Sequence, residues 1–146
     1  MFRKFLVPTD GSEHSMRAAA QAVTLAQQVG GSMIAMAVIE PYPFPPISES
    51  PFAGGSAAYD ERARALAEEH LAQVSHAAQK ANVPCETLAV DGLYPNEEIV
   101  AAAQKRGCDA IVMGTHGRKG VSKLFAGSVT QKVIAQASVP VIVVRE

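Results

Sequence analysis

Five short apolar runs rich in β-branched residues alternate with four helical patterns along the 146 residues of this chain. Such alternation is typical of right-handed βαβ units, whose strands form a parallel sheet with helices on both faces. The runs are mostly unbroken by polar residues, as expected for strands covered on both faces. We therefore predict an α/β fold, a single doubly wound domain (1–146) with a five-stranded parallel sheet. The predicted strands are Arg3–Pro8, Ser32–Ile39, Cys85–Val90, Ala110–Met113 and Val139–Val144.

The four predicted helices are recognised by their starts, stops and apolar faces. Ser12 is a suitable N-cap for the first, Gly30 stops it, and Pro95 is a favoured first-turn residue for the third. The predicted ranges are about Ser12–Val29, Ala57–Ala81, Pro95–Gly107 and a fourth helix that begins at Gly127-Ser128. The residues predicted to face inward are Ala19, Ala22, Val23 and Ala26 on the first helix, Ala63, Leu66, Ala67, Leu71 and Val74 on the second, and Val129, Val133 and Ile134 on the fourth.

Composition excludes several classes of protein. Hydrophobic residues make up 48% of the chain and charged residues 18%, which argues against a disordered, fibrous or membrane protein. The net charge of −1 gives no reason to expect a nucleic-acid partner. No apolar run approaches the roughly 20 residues of a spanning helix, and the start Met1–Pro8 is too short for a signal peptide. We therefore expect a cytoplasmic protein with no membrane partner.

A long segment rich in proline, glycine and serine, Pro41–Ser56, follows the second predicted strand. Its composition predicts a loop. Loops of this length in compact domains are lids, partner surfaces or disordered excursions, and the sequence leaves these alternatives open.

The stretch after the fourth predicted strand contains the main functional motif. It runs glycine, two residues, glycine, nine residues, glycine and serine, at Gly114, Gly117, Gly127 and Ser128; we call these four residues the glycine frame. Gly114 and Gly117 permit a tight turn and let main-chain N–H groups approach phosphate oxygens. Gly127 and Ser128 open a helix whose free N–H groups and positive dipole end attract anions. The frame therefore predicts a phosphate-binding site at the carboxyl ends of the strands.

Basic residues accompany the glycine frame. Arg118, Lys119 and Lys123 lie within it, and no acidic residue occurs from Ala110 to Arg145. These charges either contact phosphate or are solvated loop charges, and the glycines alternatively serve turns without a ligand. The P-loop motif GxxxxGK[ST] is absent, and no GxGxxG follows the first strand, so neither P-loop chemistry nor an NAD-type dinucleotide fold is predicted.

On these residues the chain resembles the universal stress protein family, specifically its ATP-binding branch. The resemblance covers the whole chain and is carried by Val7–Ser12, Ala37–Glu40, the glycine frame and the C-terminal Val139–Val144. It implies the strand order 3-2-1-4-5, which places the first and fourth strands side by side. It also implies that the chain binds ATP, with or without Mg²⁺, and forms a homodimer through Val139–Val144.

The resemblance also implies roles for individual residues. Asp10 would accept hydrogen bonds from a ribose hydroxyl or an adenine amine, and Val38 would contact adenine. From the residues alone, Asp10 alternatively starts a turn before Ser12, Val38 is a core valine in either case, and His116 either binds phosphate or faces solvent. The implied nucleotide-binding residues are Pro8, Thr9, Asp10, Val38, Met113, Gly114, Thr115, His116, Gly117, Arg118, Gly127, Ser128 and Val129.

No catalytic or metal-binding constellation accompanies these residues. His14, His70, His76 and His116 have no HExxH motif or Cys/His cluster around them, and no serine lies in a GxSxG elbow. The preferred function is therefore an ATP-binding stress-response regulatory protein, whose nucleotide occupancy alters its assembly or partner surface. The alternatives are a slow Mg-dependent ATPase without a dedicated general base, and a protein-interaction module that binds no nucleotide.

Overall fold

The structure is a computed structural model that describes residues 1–41, 55–115 and 128–145. In these residues strands and helices alternate, and neighbouring strands pair in parallel in the order β3-β2-β1-β4-β5. The predicted fold class and strand order are confirmed. The strands are β1 (Lys4–Pro8), β2 (Ser32–Ile39), β3 (Cys85–Asp91), β4 (Ala110–Gly114) and β5 (Val141–Val144). The helices are α1 (Glu13–Val29), α2 (Gly55–Lys80), α3 (Pro95–Lys105) and α4 (Ser128–Gln136).

Helices cover both faces of the sheet. Successive strand residues point to opposite sides, so Phe5 and Val7 pack with residues of α1 and α2, whereas Leu6 packs with residues of α3 and α4. All five residues of β4 are buried, while the edge strands β3 and β5 are partly exposed. The sheet therefore separates two hydrophobic cores, one on each of its faces.

The ends of the first helix follow from its sequence. The Ser12 side chain accepts a hydrogen bond from the Ser15 N–H over 3.4 Å, as an N-cap does. At the other end Gly30 has a φ of 65°, the left-handed conformation that ends helices. The predicted start and stop of α1 are confirmed.

Two residues predicted to face inward on their helices are exposed. Leu66 of α2 is 46% exposed, because the buried stripe of this helix passes through Ala67, Leu71 and Val74 instead. Ile134 of α4 is 52% exposed beside the fully buried Val133. Each of the two residues lies one position, or about 100° of rotation, away from its buried stripe.

Three predicted boundaries change by two residues, and the first is the end of α3, which lies at Lys105 rather than Gly107. α2 begins at Gly55, so the last two residues of the predicted loop belong to the helix, and residues 42–54 lie outside the described residues. β5 begins at Val141 rather than Val139. Pro140 precedes it and has no N–H to donate, although its carbonyl accepts a hydrogen bond from the Ile111 N–H over 3.0 Å.

None of the described helices combines the length and apolar character that crossing a membrane requires.

Candidate functional site

A crevice opens between β1 and β4 at the carboxyl end of the sheet. The last residues paired between these strands are Leu6 and Ile111, and Pro8 has no N–H with which to extend the ladder. On the other side of β1, the last pair with β2 is Pro8 with Met36, and β2 continues to Ile39. Parallel sheets bind ligands at such a point, where adjacent connections leave in opposite directions.

This crevice contains a cavity of about 260 Å³. Cavities that hold small molecules have volumes of roughly 300–1,000 Å³, so the space suits a compact ligand that is partly open to solvent. The walls come from the ends of β1, β2 and β4 and from the N-terminal parts of α1, α3 and α4. The residues that had been predicted from the sequence and line the cavity are Pro8, Thr9, Asp10, Val38, Met113, Gly114 and Val129.

Two of the other predicted site residues are described and do not line the cavity. Thr115 is described but does not line the cavity, and its N–H donates to the Val144 carbonyl over 3.0 Å. Ser128 is the first residue of α4 and also lies outside the cavity lining. Four of the predicted residues lie outside the described residues: His116, Gly117, Arg118 and Gly127. Their contacts with a nucleotide stay predictions.

Asp10 and Ser12 form the turn that joins β1 to α1. The Asp10 carboxylate accepts a hydrogen bond from the Ser12 N–H over 2.9 Å and a short one from the Ser12 hydroxyl. The Ser12 hydroxyl also lies 3.2 Å from Nε2 of His14. Asp10 therefore starts a turn before the helix cap, and it lines the cavity at the same time.

The pKa of the Asp10 carboxyl lies below its usual value. Partial desolvation raises this pKa, but hydrogen bonds from Ser12 and Ser15 and the nearby charge of His14 outweigh that effect. At neutral pH Asp10 is therefore a carboxylate, which accepts hydrogen bonds and donates none.

Two buried threonines hold the walls of the cavity together. The Thr9 hydroxyl lies 3.1 Å from the Ser15 hydroxyl and ties the end of β1 to the first turn of α1. The Thr130 hydroxyl donates to the Gly114 carbonyl over 3.1 Å and ties α4 to the end of β4. Both threonines are buried, so these hydrogen bonds fix the relative positions of the elements around the crevice.

Gly114 allows a close approach between α1 and β4. A Cβ atom on this residue would overlap the main-chain carbonyl of His14, which has no freedom to move aside. The start of the glycine frame is therefore packed against the first turn of α1.

The main chain of Val38 is open towards the cavity. In a parallel sheet, each residue directs both its N–H and its C=O to one adjacent strand, and residues two apart in sequence face the same adjacent strand. The Met36 carbonyl accepts from the Thr9 N–H over 2.8 Å, so Val38 faces the same side, where β1 has already ended. Within residues 1–41, 55–115 and 128–145, no backbone group is hydrogen-bonded to Val38 on that side. The Val38 N–H, a hydrogen-bond donor, and the Val38 C=O, an acceptor, therefore lie side by side at the cavity wall.

Sequence reasoning missed half of the residues that line the cavity. Two of them belong to the first turn of α1, which must lie at the carboxyl end of the sheet because α1 directly follows β1. That connection was a usable signal for His14 and Ser15. No comparable signal exists for the residues that α3 supplies from the far side of the sheet. The missed residues are His14, Ser15, Met36, Glu40, Pro95, Ile99 and Thr130.

A second, more open cavity of about 410 Å³ lies beyond Glu40, above the ends of β2 and β3. Among the described residues that line it, the guanidinium of Arg64 donates to both oxygens of Asp91 over 2.9 Å. Glu40 and Asp60 add two further carboxylates. A phosphate would meet repulsion there. The cavity between β1 and β4 is also lined by two carboxylates, but the N-terminal residues of α4 form part of its wall, so it is the better candidate for an anionic ligand.

Thiol and metal chemistry find little support in the part of the chain that the structure describes. Cys85 and Cys108 are free, and burial raises the pKa of both thiols. In the same residues no group of three or more His, Cys, Asp or Glu side chains is placed to hold a metal ion.

Comparison with known proteins identifies relatives of similar length. The model of the universal stress protein family matches residues 1–145. Universal stress protein MJ0531 of Methanocaldococcus jannaschii is 34% identical over the whole chain and 84% of its own length. A universal stress protein of Thermus aquaticus, encoded in the QAH/OAS sulfhydrylase 3′ region, is 37% identical over 99% of this chain and all of its own length.

Solved structures have the same fold. The universal stress protein UspA from Lactobacillus plantarum superposes with a TM-score of 0.83 at 24% identity, over 99% of this chain and 98% of its own. A universal stress protein in complex with cAMP has a TM-score of 0.70 at 22% identity, covering 99% and 97%. One from Archaeoglobus fulgidus in complex with dAMP has a TM-score of 0.67 at 23% identity, covering 98% of each chain. The family match and the full-length relatives, together with the shared fold, show that the chain belongs to the universal stress protein family.

Proposed function

We propose that the chain binds an adenine nucleotide, with ATP as the first ligand to test, in the cavity between β1 and β4. Occupancy of this cavity would regulate the assembly of the protein or its contacts with partners. The observation that carries the proposal is the cavity at the switch point of the sheet, which joins apolar walls, a carboxylate and open main-chain groups.

The base would lie at the β2 side of the cavity. Adenine presents an amine donor and a ring-nitrogen acceptor on its Watson–Crick edge, and the C=O and N–H of Val38 complement them. Guanine presents an acceptor and a donor in the same places, so the main chain favours adenine. Ile99 and Pro95 supply apolar surface for the faces of the base.

The ribose and phosphates would lie between Asp10 and the start of α4. The Asp10 carboxylate accepts hydrogen bonds, as a ribose hydroxyl requires. Gly114, Val129 and Thr130 line the wall at the N-terminal end of α4, where a helix favours negative charge. Gly117 and Gly127 of the glycine frame are proposed as further phosphate contacts.

Both halves of the site are needed for useful affinity. Micromolar binding requires about 8 kcal/mol. A helix terminus contributes at most about 2 kcal/mol, and a charge-assisted hydrogen bond about 1.5–3 kcal/mol. Phosphate contacts alone would therefore bind weakly, and burial of the base against Val38 must supply part of the difference.

The structures of relatives with cAMP and dAMP support the class of ligand, because they show that this fold accommodates adenine nucleotides. Mg²⁺, when bound with ATP, would neutralise phosphate charge, and the Asp10 carboxylate would be suited to contact it.

The assembly part of the proposal is a homodimer through β5. This strand lies at the edge of the sheet, and Val143 is 37% exposed on it. An apolar edge strand invites pairing with another chain, and pairing with its own copy gives a two-fold dimer.

Native mass spectrometry tests the function directly. The purified chain is measured as isolated and after incubation with ATP and Mg²⁺. Retained ATP supports the proposal, and accumulated ADP favours the slow ATPase. A chain that binds no ATP, ADP or AMP in calorimetric titrations at millimolar ligand would be an interaction module, and the proposal would be wrong.

A further inference from the structure

We propose that His14 is a ligand-binding residue that makes the site prefer phosphorylated adenine compounds over adenosine. This inference rests on the proposed function, because it concerns the same cavity.

The charges around the cavity single out His14. The described lining residues include two carboxylates, Asp10 and Glu40, and among them His14 is the one whose side chain can carry a positive charge. A nucleotide phosphate that enters such a cavity needs a compensating cation or donor. His14 is the described residue in a position to supply it.

The position of His14 is at the phosphate end of the cavity. It is the second residue of α1, and its carbonyl packs against Gly114, the first residue of the glycine frame. The ring also lies close, with Cδ2 at 3.3 Å from the place that a Cβ on Gly114 would occupy. A ligand with its phosphates beside Gly114 would therefore have the imidazole as a neighbour.

The hydrogen bonds around His14 favour a donating ring. The Ser12 hydroxyl donates its proton to Asp10, so it acts as an acceptor towards Nε2 of His14 at 3.2 Å. This arrangement places a proton on Nε2. A contact between Nδ1 and a phosphate would require a second proton on the ring, which the neighbouring Asp10 carboxylate and the anionic ligand would both favour.

The test compares ligands that differ only in their phosphates. ATP, AMP and adenosine are titrated calorimetrically into the wild type, His14→Gln and His14→Lys, all at one pH and ionic strength. His76→Gln is the matched control, because His76 is exposed on α2 and does not line the cavity. Circular dichroism confirms that each variant is folded.

In His14→Gln we expect the Kd for ATP to rise roughly 10- to 150-fold, as for the loss of one charge-assisted contact. The Kd for adenosine should stay within about twofold in the same variant, as should every Kd in His76→Gln. His14→Lys restores a positive charge and should recover most of the preference for ATP.

Several results would overturn the inference. Equal losses for ATP and adenosine in His14→Gln would mean that His14 acts only by positioning Asp10 through Ser12. Unchanged ATP binding in that variant would remove any role for the ring. A wild type that binds neither ATP nor adenosine would refute the proposed function itself, which is a distinguishable outcome.

Discussion

Replacing Thr130 with valine tests whether one buried hydrogen bond fastens α4 to the end of β4. Thr130 is 6% exposed, and its hydroxyl donates to the buried Gly114 carbonyl over 3.1 Å. Valine has nearly the same shape but no hydroxyl, so the carbonyl loses this donor while no cavity opens. An unsatisfied buried polar group costs about 1–3 kcal/mol, and we expect the free energy of unfolding to fall by that amount.

Urea unfolding, followed by circular dichroism, measures this change. Thr130→Ser is the matched control, because it keeps the hydroxyl and loses only a methyl group, which costs about 1 kcal/mol. For a chain of this size, Thr130→Val should lower Tm by roughly 2–12 °C. ATP binding should weaken as well, because α4 and Gly114 line the same cavity. Two results would refute this role of Thr130. One is a Thr130→Val variant whose free energy of unfolding lies within about 0.5 kcal/mol of the wild type, the range of neutral substitutions; the other is a Thr130→Ser variant that is destabilised more than Thr130→Val.

Three further predictions concern the base, the turn and the edge strand. Val38→Asp should weaken ATP binding by roughly 30-fold or more, because about 2 kcal/mol of apolar contact is lost and a carboxylate is added. Calorimetry measures the affinity, with Val38→Ile as the control, and undiminished affinity in Val38→Asp would refute the proposed adenine pocket. The pKa of Asp10 is lowered in the folded chain from the usual 3.8, so its ionised form stabilises the fold above about pH 4 and this contribution is lost as the pH falls through the lowered value. Asp10→Asn should therefore be less stable than the wild type at pH 7, by a margin that shrinks as the pH falls below about 4. A difference that stays constant with pH in urea unfolding would contradict the assignment. Val143→Lys should convert a dimer into a 15.3 kDa monomer in light scattering, whereas a wild type that is already monomeric at micromolar concentration would refute dimerisation through β5.

The alternation of strands and helices could be predicted from the residues because each element carries its own signal. β2 is confirmed from Ser32 to Ile39, and α1 begins after its Ser12 cap and ends before Gly30. The strand order was different in kind: it came from the resemblance to a family, since no local pattern states which strand pairs with which.

The errors on the helices have a common cause. Periodicity identifies which residues share a face, but only tertiary packing decides how wide the buried part of that face is. Leu66 and Ile134 are each next in sequence to a residue that packs inward, and each lies just outside the buried stripe.

Tertiary packing also decides which residues of the candidate site could be predicted from the sequence. Residues at strand ends, such as Asp10 and Val38, could be predicted because parallel strands present their carboxyl ends together. Pro95 and Ile99 could not, because they reach the cavity only through the way α3 packs across the sheet. Glu40 directly follows β2, so its place at a strand end was a signal that could have identified it. The openness of the Val38 main chain depends on the point at which β1 ends, which appears only in the pairing of the strands.

A crystal structure of the chain grown with ATP tests the central claim most directly. We expect the base in the cavity between β1 and β4, with its amine about 3 Å from the Val38 carbonyl and its phosphates beside Gly114 and the start of α4. ATP bound at any other place, in crystals of a chain that calorimetry shows to be saturated, would contradict the account.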